Sequence, residues 1–170
     1  MARMDQDAPA LAGAVRDALT AVLRELLDGP PRGGAFVLNP GDRGLLASLD
    51  RLSAEAASAE PGGRPSVAAH VEHLRYGFEL RNRWAQGEDP WSTANWAASW
   101  ERRQVTEDQW RALRAALADE ARRWLRTSGE PRDWNSLDLT EAMASTVHLA
   151  YHLGAIRQIA QAASGPPAQD

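Results

Sequence analysis

Between Pro9 and Asp28, apolar side chains recur at Leu11, Val15, Leu19, Val22, Leu23, Leu26 and Leu27, the spacing of one helical face. Gly29, Pro30 and Pro31 end that helix. A loop with Phe36 and Val37 leads to Asn39 and Pro40, which read as a cap and first helical position for a shorter helix carrying Leu45, Leu46, Leu49 and Leu52. That helix dissolves into small residues ahead of the turn Pro61, Gly62, Gly63. A third helix is predicted from about Pro65 and Ser66 to Ala85, with Val67, Val71, Leu74, Phe78 and two histidines on its buried sides, and Gly87 closing it. The stretch from Glu88 to Val105 holds Pro90, Trp91, Trp96 and Trp100; it is too apolar for a free linker and should pack on the remaining helices. Thr106 and Gln109 form a capping box for a fourth helix with Trp110, Leu113, Leu117, Trp124 and Leu125, ending at Ser128 and Gly129. A last helix follows Trp134, with Asp138 and Glu141 as its cap, and runs through Met143, Val147, Leu149, Leu153, Ile156 and Ile159 to about Ala163.

Five helical segments without an alternating strand predict an all-α fold: a four-helix bundle with one extra short helix and a long crossover connection. The length of 170 residues and 44% apolar content suit one domain over 9–163, between flexible ends at 1–8 and 164–170.

Composition then narrows the chemistry. Without cysteine there is no disulfide, thiolate ligand or cysteine nucleophile, which leaves histidine and carboxylate to bind metal. Every one of the 19 basic residues is arginine, so Schiff-base chemistry and a P-loop lysine are absent. A formal charge of −4 without a basic cluster speaks against nucleic acid. The N-terminal residues lack the pattern of a signal peptide and no apolar run approaches a membrane span, so a cytoplasmic protein is expected.

All 4 histidines fall on two predicted helices: His70 and His73 on the third, His148 and His152 on the last. Imidazoles three or four residues apart project from one helical face, so a pair grips one ion while a facing helix supplies another ligand. His148 and His152, at i and i+4 beside the small Gly154 and Ala155, form the clearer pair; Leu149 stands where a zincin has its glutamate, so a metalloprotease does not fit. Periodicity does not choose between His70 and His73 for the third ligand. The spare one reads as a donor supporting a ligand ring or as an ordinary core residue.

Ser66, Val67, His73 and Leu74 in the order S-V-x(5)-H-L, followed by His148, His152, Gly154 and Ile156 in the order H-x(3)-H-x-G-x-I, resemble the DinB/YfiT superfamily of bundle metalloproteins. The resemblance covers most of the chain. It implies His73, His148 and His152 as the ligands and gives His70 no role. It also implies a divalent ion, zinc or nickel first and iron or manganese after them. Among characterised relatives are transferases and isomerases that use low-molecular-weight thiols such as bacillithiol and mycothiol. Three neutral imidazoles leave an ion an open position for water or a thiol, as in catalytic zinc sites, and a thiol must here arrive as co-substrate. The expectation is a metal-dependent hydrolase or thiol S-transferase acting on a small molecule, with pairing of two chains through faces the core does not need. The alternative is a non-catalytic bundle that an ion merely stabilises, for interaction or regulation.

Glu141, Tyr151, Tyr76, Arg75 and Arg157 lie near enough in sequence to assist, but each has a simpler structural reading and none is assigned a catalytic role. Trp91, Trp96 and Trp100 suggest a ligand-stacking wall, with core packing as the default.

Overall fold

The computed structural model describes residues 4–131 and 135–167, the side chains from residue 11 onward. Residues 1–3 and 168–170, parts of the ends expected over 1–8 and 164–170, and Trp134, which precedes the last predicted helix, lie outside the described residues. The described residues are helical without a strand: α1 (Met4–Asp28), α2 (Gly44–Leu49), α3 (Ala54–Ser58), α4 (Val67–Ala85), α5 (Glu107–Gly129) and α6 (Ser136–Ile159). Short 3-10 turns add Trp91–Thr93 and Ala98–Trp100 in the tryptophan-rich connection and Gln161–Ala163 after α6. No helix of the described residues is long and apolar enough to cross a membrane.

The four long helices surround one core in the cyclic order α1, α5, α4, α6. Leu23, Leu26 and Leu27 of α1 meet Val71, Leu74 and Phe78 of α4, Leu113 and Leu117 of α5, and Leu149, Leu153 and Ile156 of α6. Trp110 and Trp124 are fully buried there, which is tolerable because each indole N–H has an acceptor: the Leu52 carbonyl at 2.8 Å and Ser145 Oγ at 2.8 Å.

Side-chain pairs fix the helix directions. Asn82 bonds Glu120 while Glu72 shares a surface cleft with Ala112 and Leu113, so α4 and α5 run parallel. The long connection between them therefore returns along the length of the molecule, as the expected crossover requires. His70 with His152 and Arg81 with Glu141 make α4 and α6 antiparallel.

Local signals explain where the elements begin and end. Ser66 caps α4 by accepting from Ala69 N, and its hydroxyl donates to the Arg103 carbonyl at 2.7 Å, which ties the connection to the helix start. At the other end Gly87 N bonds the Trp84 carbonyl and Glu88 N the Arg83 carbonyl, a Schellman motif with Gly87 at φ +89°. The Thr106 and Gln109 capping box of α5 forms as expected.

Other boundaries shift from the sequence expectation. Helix α1 begins at Met4 rather than Pro9. Asn39 and Pro40 do not open a helix: Asp42 N bonds the Asn39 carbonyl around Pro40 and Gly41 at φ +82°, the Pro-Gly arrangement of a type II turn. Helix α2 starts only at Gly44. The residues past Leu52 do not simply dissolve, because Ser53 caps the short α3. Helix α6 is capped by Asn135 with Asp138 as the reciprocal partner, one turn before the expected Asp138 and Glu141 cap.

The loop after α1 is held by a buried carboxylate. Glu25 accepts the backbone N–H groups of Phe36, Val37 and Leu38 at 3.0, 2.8 and 2.7 Å. Burial alone would raise its pKa, but these three N–H bonds hold it below the ordinary value. Together with α2, α3 and the turn after α6, this loop closes the end of the molecule where α4 begins and α6 finishes.

Candidate metal centre

Near that closed end, the first two turns of α4 face the last three turns of α6. His70, His73 and His152 are 6%, 8% and 1% exposed; His148 is half-buried. His148 Nε2 lies 3.1 Å from His73 Nε2 and 2.9 Å from His152 Nε2, so the three rings point one nitrogen each at a common space. Helix α4 therefore supplies His73 to the group, and the spare His70 sits behind it with its Nδ1 2.8 Å from His152 Nδ1.

Hydrogen bonding cannot satisfy this cluster by itself. A ring nitrogen carries either one proton or one lone pair, so His148 Nε2 can bond one of its two neighbours and the remaining nitrogen is left without a partner. An ion that accepts all three lone pairs removes the conflict. Two nitrogens bound to one ion at about 2.0–2.1 Å lie about 2.8–3.4 Å apart for angles between a right angle and the tetrahedral value. Both separations, 3.1 and 2.9 Å, fall in that range.

The surroundings prepare the rings for such a role. His73 Nδ1 is 2.7 Å from Ser99 Oγ, whose single proton goes to the Trp96 carbonyl at 2.7 Å. The serine oxygen must then accept from His73 Nδ1–H, which leaves the lone pair of His73 on Nε2, facing the other two rings. Trp100 stacks on His73 with centroids 4.3 Å apart and planes at 25°, and meets His70 edge-on at 5.1 Å. Trp96 flanks His73 at 5.3 Å. Two tryptophans of the connection thus wall the histidine rings, whereas Trp110 and Trp124 belong to the core.

The electrostatics keep the cluster neutral. Burial, then the neighbouring His148, His70 and Arg81, depress the pKa of His73 to about 4. Burial and the Arg81 charge bring His148 to about 4, and burial with the three other histidines brings His152 to about 2. His70 is lowered by burial. Unprotonated imidazole is the form that binds a metal ion.

Arg81, two turns beyond His73 and 8% exposed, donates to the Gly77 carbonyl at 3.1 Å and pairs with Glu141 at 3.5 Å beneath the Trp91 ring. Glu141 is thus neither a cap nor a base aimed at the histidines. Tyr76 accepts the Asn95 N–H at 2.9 Å and pins the connection. Arg75 is taken up by Glu72 and Glu79, and Arg157 by Asp42. Tyr151 is 68% exposed with its ring 5.1 Å from that of His152. Ser99 escaped the sequence reading; Trp96 and Trp100 were weighed there as a wall, with core packing as the default, and they lie against the histidine rings.

Among the described residues His73, His148 and His152 form the group able to hold a metal ion, and no further histidine or carboxylate joins it. Comparison of the chain with protein-family models, curated proteins and solved structures finds no match.

Proposed function

We propose that this chain is a cytoplasmic metal-dependent enzyme of the DinB/YfiT type, with His73, His148 and His152 holding one divalent ion, zinc or nickel. The convergence of three Nε2 atoms, one of them 2.9 and 3.1 Å from the other two, carries this reading. The resemblance of the two histidine motifs supports it. A divalent ion held there supplies Lewis acidity, lowering the pKa of a water or small thiol so that it becomes a nucleophile near neutral pH.

The chain's own residues do the remaining work. Ser99 fixes the tautomer of His73, and Trp96 and Trp100, from the connection outside the core, cover the rings of His73 and His70. His148 is the half-buried ligand, so a co-substrate approaches past it, along Ala144, Val147 and Tyr151, which are exposed on α6. The protein has no cysteine, so the nucleophile is a water or a low-molecular-weight thiol brought in from outside, and the acceptor is a small electrophilic molecule. The non-catalytic alternative calls for a closed coordination sphere. The group of three histidines, with Glu141 drawn away to Arg81, favours the open one.

The test is zinc-loaded protein assayed with low-molecular-weight thiols and a chromogenic electrophile, and with activated esters for the water reaction. Transfer or hydrolysis that depends on zinc and falls at least about 100-fold in His148→Ala supports the enzyme. Rates equal to the uncatalysed reaction in every assay, from protein that holds its zinc, support the stabilising module instead.

A further inference from the structure

The fourth histidine touches the cluster through one atom pair. His70 Nδ1 and His152 Nδ1 are 2.8 Å apart, both rings are buried, and their planes meet at 65°. Two aprotic nitrogens would repel at this distance, so one of them carries a proton. Which one decides what His152 can do. If His70 donated, the only proton of neutral His152 would sit on Nε2, pointing at His148 Nε2 2.9 Å away and closing that ring to an ion. If His152 donates, its lone pair lies on Nε2, in the common space.

We infer that His70 is a positioning residue: its Nδ1 accepts the N–H of His152 Nδ1 and so holds the His152 lone pair on Nε2, ready for metal, before any ion arrives. The choice of donor rests on the function proposed above, because this tautomer is the one that leaves the His152 lone pair in the common space; the tautomer can be read independently of any ion. His70 then carries its own proton on Nε2, at the cleft of about 270 Å³ lined by Arg64, His70, Trp100 and Tyr151. The arrangement parallels the other side of the site, where Ser99 accepts from His73 Nδ1. Two ligands from two helices are thus set in the same tautomer by two unrelated acceptors. The edge of Trp100 against His70 keeps that ring from turning away.

The experiment compares the wild type with His70→Asn, whose Oδ1 replaces the accepting atom, and His70→Leu, which removes it. Zinc affinity is read by competition with a chromophoric chelator, and the His152 tautomer by long-range proton–nitrogen correlation in metal-free protein. The wild type and His70→Asn should show His152 protonated on Nδ1 and zinc affinities within a few-fold of each other. His70→Leu should lose that tautomer and bind zinc about 10–100-fold more weakly. A residue that merely filled space would lower the thermal stability of both variants without separating them in tautomer or affinity. Wild-type His152 protonated on Nε2, or a His70→Leu variant that keeps both tautomer and affinity, overturns the inference. Should His70→Leu fail to fold, the wild-type spectrum still decides. Absence of zinc binding in a wild type with the expected tautomer counts against the metal reading alone.

Discussion

Ser99 shows how one side chain outside the ligand set governs the site. With its own proton committed to the Trp96 carbonyl, it can only accept from His73. Ser99→Ala should weaken zinc binding about 10–100-fold, as loss of a partner behind a metal ligand does, while costing only about 1 kcal/mol of stability. Chelator competition and urea unfolding measure the two effects, and unchanged affinity would assign the orientation of His73 to Trp100 stacking alone. At this scale the sequence was half legible. The i, i+4 spacing of His148 and His152 reveals a shared helical face without knowledge of the partner. The choice of His73 over His70 depends on how α4 is rotated against α6, and both residues are buried; only the motif resemblance favoured His73. Ser99 lies 26 residues from His73 in a 3-10 turn, where no periodicity marks a partner.

For the helices, the caps and breakers carried most of the legible information. Ser66, Gly87 and the pair Thr106 and Gln109 each act where their residue types favour it, so α4 and α5 keep close to their expected limits. Errors arose where one signal serves two structures. Proline after asparagine suits a helix start or a turn, and Gly41 at positive φ decides for the turn. Asn135 and Asp138 satisfy the same capping spacing as Asp138 and Glu141, one turn earlier. A five-residue helix such as α3 has too few positions to show a period. The junction of α1 and α2 is sterically demanding: Gly44 has φ +73°, and a Cβ there would sit 2.5 Å from the Leu27 carbonyl. Gly44→Ala should therefore destabilise the protein by clearly more than about 1 kcal/mol, read from the urea midpoint. A neutral outcome would mean that α2 can move away from α1 freely.

Across the whole molecule, the parallel pair α4 and α5 forces the connection between them to run back along the bundle, and this return path brings Ser99 and Trp100 to the histidines. The apolar tryptophans announced that the segment packs, but not on what. The neutral cluster also gives the molecule a pH signature. Each histidine has a folded pKa below the ordinary 6.5, with His73 and His148 near 4. Between those limits the unfolded chain binds more protons than the folded one, so stability is complete above pH 6.5 and falls as pH drops towards 4. Urea unfolding of metal-free protein should show that decline; a constant midpoint over this window would mean that the imidazoles are not held neutral. Zinc should move protein of the same pH to higher stability, because it binds the unprotonated folded site.

The most direct measurement is elemental analysis with X-ray absorption on protein purified without an affinity tag. One divalent ion per chain, bound by three imidazole nitrogens at about 2.0–2.1 Å with at least one position left to solvent, and lost in His148→Ala, is the expected result. Folded protein that retains no stoichiometric ion after exposure to zinc, nickel, iron or manganese would contradict the assignment of His73, His148 and His152 as a metal centre.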